Sequence, residues 1–397
     1  MSRSRFALSA LAAMLLAVPS LQAVELQSVA GTDTKLKVYG FVRVDATYFA
    51  DSLQNFAGTT ASSLFYTGHP ENTSTQPTQN LVLGYAPSRL GFTSITPSAN
   101  LGDITTKIEM DMNTAPWHTR LVQISIGNWT IGKAWSVWND LDAGPDTVDW
   151  AGPVGGACFD TPRRPLIKYL AHFDKKNSLE IGIEQNGGQT DGTTPGATSK
   201  ADGRYPNLVA AYTYGDTWGH IGLRGLEQNV AAYIPPTGTT SSSRYSSWEG
   251  AFQVSGAFNI AKDALVATLY TGKALGDYGT GIQSAVLNDT TQTVSAFKTT
   301  GWMAGYTHNW TDAVRSNLDL SGVSFSSDPL LPATAIKSMQ SGSVNTIVKL
   351  TKSVELGMEY IYESAKTFGS QSAVDTDGHA TDKNSGSKVE VSLTASF

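Results

Sequence analysis

Long runs of strict alternation between apolar and polar side chains constrain this chain more than any other feature. Leu36, Val38, Gly40, Val42, Val44, Ala46 and Tyr48 alternate with Lys37, Tyr39, Phe41, Arg43, Asp45 and Thr47. The pattern returns at Ile104–Met112 around Lys107, Glu109 and Asp111, at Leu179–Ile183 around Glu180, at Val354–Tyr360 around Glu355 and Glu359, and at Val389–Phe397 around Glu390. A period of two is that of a β-strand with one apolar and one polar face. Alternation alone fits a soluble sandwich as well as a membrane barrel. Length separates them, because ten or more alternating residues match a tilted strand crossing a bilayer, whereas soluble strands usually run about 5–6 residues. Aromatics such as Tyr48, Phe49, Trp129, Tyr212, Tyr214, Trp218, Trp310, Tyr360 and Tyr362 fall where strands meet headgroups, as in an aromatic girdle. The expected fold is an all-β transmembrane antiparallel β-barrel.

The N-terminal residues predict the compartment. Arg3 and Arg5 precede an apolar run from Phe6 to Val18, followed by Pro19 and Ala23, which reads as a signal peptide over residues 1–23. Its core is shorter than the ~20 residues a spanning helix needs. A short periplasmic segment, 24–33, and one barrel domain, 34–397, then follow, in the outer membrane of a Gram-negative bacterium. At about 23 residues per strand and connection, that length gives about 16 strands. Short turns at Ser98–Gly102, Asp174–Asn177 and Trp310–Asp312 are expected on the periplasmic side. The Gly/Ser/Thr-rich stretches 54–80, 186–205, 232–245, 277–296, 326–341 and 367–387 are expected to be extracellular loops. Phe397 closes the last strand on its apolar face, a feature expected to engage the barrel-assembly machinery, and the outer face should meet lipid and lipopolysaccharide.

Charge and residue usage exclude several classes. The chain has 28 basic and 34 acidic side chains, and the leader holds two of the former and none of the latter, so the remainder carries a formal −8. No basic tract suggests nucleic acid. Cys158 is the single cysteine, so no intrachain disulfide forms. No G-x-S-x-G or H-E-x-x-H is present, and His69, His118, His172, His220, His308 and His379 lack ligand spacing, so neither an enzyme, a metal centre nor a cofactor is expected.

Three stretches carry a family likeness: Val38-Tyr39-Gly40-Phe41-Val42-Arg43-Val44-Asp45-Ala46; Ser88-Arg89-Leu90-Gly91-Phe92 with Ile104-Thr105-Thr106-Lys107-Ile108-Glu109; and Gly132-Lys133-Ala134-Trp135-Ser136 with Asp140-Leu141-Asp142-Ala143, Asp149-Trp150-Ala151-Gly152-Pro153 and Arg163-Arg164-Pro165-Leu166-Ile167-Lys168-Tyr169. In these the chain resembles the DcaP-like porins, most specifically between Ser88 and Tyr169. The resemblance implies a homotrimer of 16-stranded barrels that takes up small anionic solutes such as dicarboxylates. Family members often carry a periplasmic heptad segment before the barrel; here the stretch ahead of the first strand is only Val24–Asp33, so barrel contacts alone would hold a trimer.

A pore selects where it narrows. The long insertion 139–165 is the candidate constriction loop: Gly144, Gly152, Pro145 and Pro162 let it turn, Asp140, Asp142, Asp146, Asp149 and Asp160 supply acid, and Arg163 and Arg164 close it. Arg43, Lys107, Lys133, Lys168 and Arg224, with His220 and Arg315, are assigned to the lumenal face, because a lipid-facing Arg or Lys at midplane costs ~2–4 kcal/mol. Arg89 and Arg120, near predicted strand ends, carry less weight. The alternative for any one of these is a structural ion pair in the wall. The alternative for the whole chain is a non-conducting barrel acting as a surface receptor or adhesin.

Overall fold

A computed structural model describes residues 27–29, 31–49, 81–113, 117–150, 152, 162–187, 190–192, 200–201, 203–236, 241–276, 278, 285–288, 291–331, 335–369 and 383–397. The predicted leader, the stretch 54–80, Cys158 and Asp160 lie outside the described residues.

Sixteen strands form a closed antiparallel barrel. In chain order they are β1 (Lys35–Phe49), β2 (Arg89–Ser98), β3 (Gly102–Asp111), β4 (His118–Ile126), β5 (Trp129–Trp135), β6 (Arg163–His172), β7 (Asn177–Glu184) and β8 (Asn207–Asp216). The second half comprises β9 (Gly219–Ile234), β10 (Ser243–Ile260), β11 (Asp263–Lys273), β12 (Lys298–Asn309), β13 (Val314–Phe325), β14 (Ile336–Lys349), β15 (Val354–Thr367) and β16 (Lys383–Ser396). Each strand pairs with the next, and β1 pairs with β16 from Phe41↔Ser396 to Phe49↔Lys388, which leaves no open edge. Gly40 and Phe397 exchange backbone hydrogen bonds of 3.1 and 3.0 Å and complete that seam. A Cβ on Gly40 would sit 2.2 Å from the Arg89 carbonyl oxygen and 3.0 Å from the Phe397 ring, so the seam needs glycine there.

The two faces are inverted relative to a soluble protein. Val42, Val44, Ile108, Val122, Ile131, Ile167, Ile181, Leu223, Leu269 and Met358 are exposed outward. Asp45, Glu109, Asp111, Glu184, Arg224, Asn317, Asp319, Glu359 and Glu390 are buried inward. An apolar exterior with ions inside is stable only where the exterior meets hydrocarbon. No helix of the described residues is long and apolar enough to cross a membrane. Rings cluster near the short-turn end, with Trp129–Tyr169 at 4.8 Å, Trp218–Phe258 at 5.7 Å and His308–Trp310 at 4.3 Å between centroids. Phe49, predicted for the girdle, instead points inward and is 7% exposed.

Local chemistry explains the irregular places. Pro87 cannot donate to a ladder, and there a short leading piece, Leu81–Gly84, is separated from β2. The Ser88 hydroxyl bridges the gap, accepting from the Arg43 N–H at 3.0 Å and donating to the Arg43 carbonyl at 3.1 Å. The turns are as short as predicted, and Gly102 (φ 72°) and Gly127 (φ 55°) take left-handed backbone in two of them. Several predicted loops are shorter: β9 runs to Ile234 and β10 starts at Ser243, β14 starts at Ile336, and β16 starts at Lys383.

Candidate functional site

The insertion after β5 turns into the barrel at Ser136. Its hydroxyl donates to both carboxylate oxygens of Glu184, at 2.9 and 2.8 Å, and the Val137 N–H reaches the same group at 2.8 Å. Val137 and Trp138 then pack with Leu226, Tyr270, Leu275 and Tyr278 in an apolar cluster inside the barrel. Beyond it the loop is pinned along the inner wall by its acids. Asp140 accepts from His220 and from Arg224, each at 3.0 Å, and from Ser255 at 2.5 Å. Burial pushes the Asp140 carboxyl up, but the His220 hydrogen bond, Arg224 and Ser255 outweigh it and hold it down at about 2. Asp146 pairs with Arg315 at 2.5 Å, and Asp149 with Lys388 at 2.7 Å. Glu359 accepts the N–H groups of Val148 and Asp149 at 2.7 and 2.6 Å, and Arg43 donates to the Val148 carbonyl.

Glycines on the inner face of the wall give the loop its track. A Cβ at Gly182 would come within 2.7 Å of Val137, at Gly222 within 3.1 Å of Asp140, at Gly305 within 3.4 Å of Pro145, and at Gly357 within 2.7 Å of Val148. At Gly182 and Gly357 the loop's Val137 and Val148 fill the vacant space, whereas at Gly222 and Gly305 the wall's own Arg224 and Asp319 come nearer, at 2.2 and 2.5 Å. This was not visible in the sequence, where these glycines only continue the polar parity.

The described part of the loop lies against β7–β16 and also meets Arg43 of β1. Strands β2–β6 make the facing wall, which carries cations. Arg89 and Lys107 are each about one-third exposed, at 30% and 33% of their side chains, with Glu109 3.9 and 4.0 Å away. Tyr39 lies flat over Gly91, where a Cβ would meet its ring at 2.2 Å, and its hydroxyl donates to Glu109 at 3.0 Å. A bulge in β4 turns both Arg120 and Leu121 inward, so that Arg120 bridges Glu109 (2.9 Å) and Asp111 (2.7 Å). Lys168 pairs with Glu180 at 3.0 Å and donates to the Trp135 carbonyl at 3.2 Å. Arg164 donates to the Gln185 carbonyl at 3.1 Å and lies 4.3 Å from the Tyr278 ring centre.

The candidate residues thus divide by position. Lys107, Lys168 and Arg164 share the basic wall with Arg89, whose strand-end position had concealed it. Arg43 and Arg224 hold the loop: Arg43 pairs with Asp45 at 2.6 Å and Glu390 at 2.8 Å, and Arg224 is 5% exposed. Asp140, Asp146 and Asp149 are the loop's side of those anchors, while Asp142 sits in a single 3-10 turn, Leu141–Ala143. Lys133 stands opposite the outward-facing Val122 and donates to the Thr119 carbonyl at 2.7 Å, so the register sets it on the outer face near the rim. Arg163 stands opposite Trp135 at the same rim, its guanidinium 4.7 Å from the indole ring centre.

A model of the DcaP outer membrane protein family matches residues 22–378. The chain belongs to that family. The DcaP relationship agrees with the inverted barrel and places the protein in the Gram-negative outer membrane. Among solved structures, the outer membrane channel DcaP of Acinetobacter baumannii is 20% identical, with 94% of this chain and 100% of that chain covered, at a TM-score of 0.73. OmpT of Vibrio cholerae (12% identical, 94% and 100% covered) and an anion-selective porin from Comamonas acidovorans (12%, 92% and 100%) superpose at 0.59 and 0.56. At these identities the likeness shows a shared fold. No curated protein sequence matches the chain.

Proposed function

We propose that this DcaP-family barrel is a porin, an outer-membrane diffusion channel for small polar solutes that favours anions, dicarboxylates among them. The observation that carries this reading is the division of the lumen: an inner loop whose Asp140, Asp146 and Asp149 pair with anchoring cations, facing a wall where Arg89 and Lys107 keep part of their surface free. Carboxylates on a solute match such a wall, because Arg offers a planar pair of donors and Lys a point charge. The anchors cancel most of the loop's acid locally, so the negative formal charge of the chain does not set the sign of the passage. Solutes are proposed to touch Lys107, Arg89, Lys168 and Arg164, with Arg43 and Arg224 acting through the loop. The protein is proposed to work as a homotrimer, without enzymatic activity.

Liposome swelling tests the reading. Vesicles containing the folded protein should admit succinate faster than a neutral sugar of similar size, and Lys107→Glu with Arg89→Gln should reverse the order. Vesicles that admit neither solute would instead favour the receptor or adhesin reading.

A further inference from the structure

Behind the inner loop, between its Thr147–Asp149 stretch and strands β13–β15, loop and wall leave a small cavity with Ile361 on one side and polar groups around the rest. Thr147, Asp149, Asp319, Ser321, Ser343 and Glu359 line it, so its side-chain donors are all oxygens. Asp319 is 3% exposed, and no cation or N–H group meets its carboxylate oxygens, with only the Ser343 hydroxyl beside them. Ser321, 2% exposed, has an unpartnered hydroxyl oxygen as well. The ladder sets Asp319 opposite Ser343 and Ser321 opposite Ser341, with Glu359 opposite Asn345 on the next pair of strands.

The cations nearby are engaged elsewhere. Arg315 reaches Asp146 at 2.5 Å and Glu355 at 3.1 Å, and Lys388 reaches Asp149 at 2.7 Å. One oxygen of Glu359 takes the two loop N–H groups, and its other contacts are with the neutral side chains of Asn345, at 3.4 Å, and Ser343. Two enclosed carboxylates, Asp319 and Glu359, are left without a positive partner. An uncompensated buried carboxylate is among the costliest groups a fold can hold. Carboxylates with hydroxyl and carbonyl oxygens, and no nitrogen or sulfur, form the donor set of a hard cation.

We propose that this cavity is a calcium site in which Asp319 and Glu359, assisted by Ser321, Ser343 and the loop, hold one Ca2+ that clamps the constriction loop to the wall. The clamp is independent of whether the pore conducts. It adds an ionic fastening between the Asp146–Arg315 and Asp149–Lys388 anchors, where the loop N–H groups already bond to Glu359.

Protein refolded without lipopolysaccharide and stripped with EDTA should take up one Ca2+ per chain when titrated calorimetrically with calcium chloride alone. The expected Kd is about 10^-4–10^-3 M, the range of weak oxygen-donor sites. Asp319→Asn should weaken uptake at least tenfold, and Ser321→Ala should weaken it measurably, while Asp174→Asn in an exposed turn should leave it unchanged. Heat-dependent migration on gels reports whether each variant is folded, and Ser321→Ala decides if Asp319→Asn does not fold. A folded wild type that takes up no calcium, or undiminished uptake by the variants, would overturn the site. Loss of conduction with calcium uptake intact would count against the porin reading alone.

Discussion

At the scale of single residues, the structure assigns work to small side chains and buried pairs. Gly357 is vacant space for Val148, so Gly357→Val forces either the strand or the loop to move. Overpacking of this kind costs about 1–3 kcal/mol, and the displaced loop should also lower conductance. Gly225, where a Cβ meets nothing within 4 Å, provides the control: Gly225→Ala should change neither denaturant midpoint nor conductance. The Asp140–Arg224 pair is buried on both sides, at 5% exposure each. Arg224→Gln should therefore destabilise by about 3–5 kcal/mol, the cost of stranding a buried charge. Asp140 is held below its ordinary range, so its contribution is complete above about pH 4 and is lost as pH falls through about 2. Asp140→Asn should flatten the stability profile in that acid window, as measured by urea unfolding in lipid vesicles.

At the scale of elements, the inner loop behaves as a strap fastened along one wall. Asp146→Ala with Asp149→Ala removes two fastenings, and single-channel records should then show larger and noisier openings. Unchanged current would mean that the strap does not line the passage. Much of this level was legible beforehand. The alternation placed Arg43, Lys107, Arg224 and the acids around them on one face because a lipid-facing charge is expensive wherever the strand lies. The position and glycine-proline content of 139–165 likewise marked a loop able to fold inward. The partners of the loop were not legible, since Asp149 meets Lys388 across 239 positions of chain and no local period encodes that pairing. Arg120 was given little weight because it lies near a strand end, and its inward direction comes from a bulge that adds one residue to β4 and breaks the local parity. Lys133 followed the same parity count, and only the register with Val122 shows which face it occupies.

At the scale of the whole molecule, the barrel is apolar outside, ionic inside and closed by the pairing of β1 with β16. Deleting Phe397 removes the two hydrogen bonds to Gly40 and the ring that packs there, so less heat-modifiable barrel should reach the outer membrane. Equal yields would argue that β1 and β16 close without it. The central claim is that a water-filled, anion-favouring passage runs between the strapped loop and the basic wall. Its most direct test is the reversal potential of single channels in a planar bilayer under a potassium chloride gradient. Ohmic steps with a reversal potential on the chloride side are expected, moving towards the potassium side in a combined Arg89→Gln, Lys107→Glu and Lys168→Gln variant. Cation preference in the wild type would contradict the assigned wall, and no current through a folded barrel would contradict the passage itself.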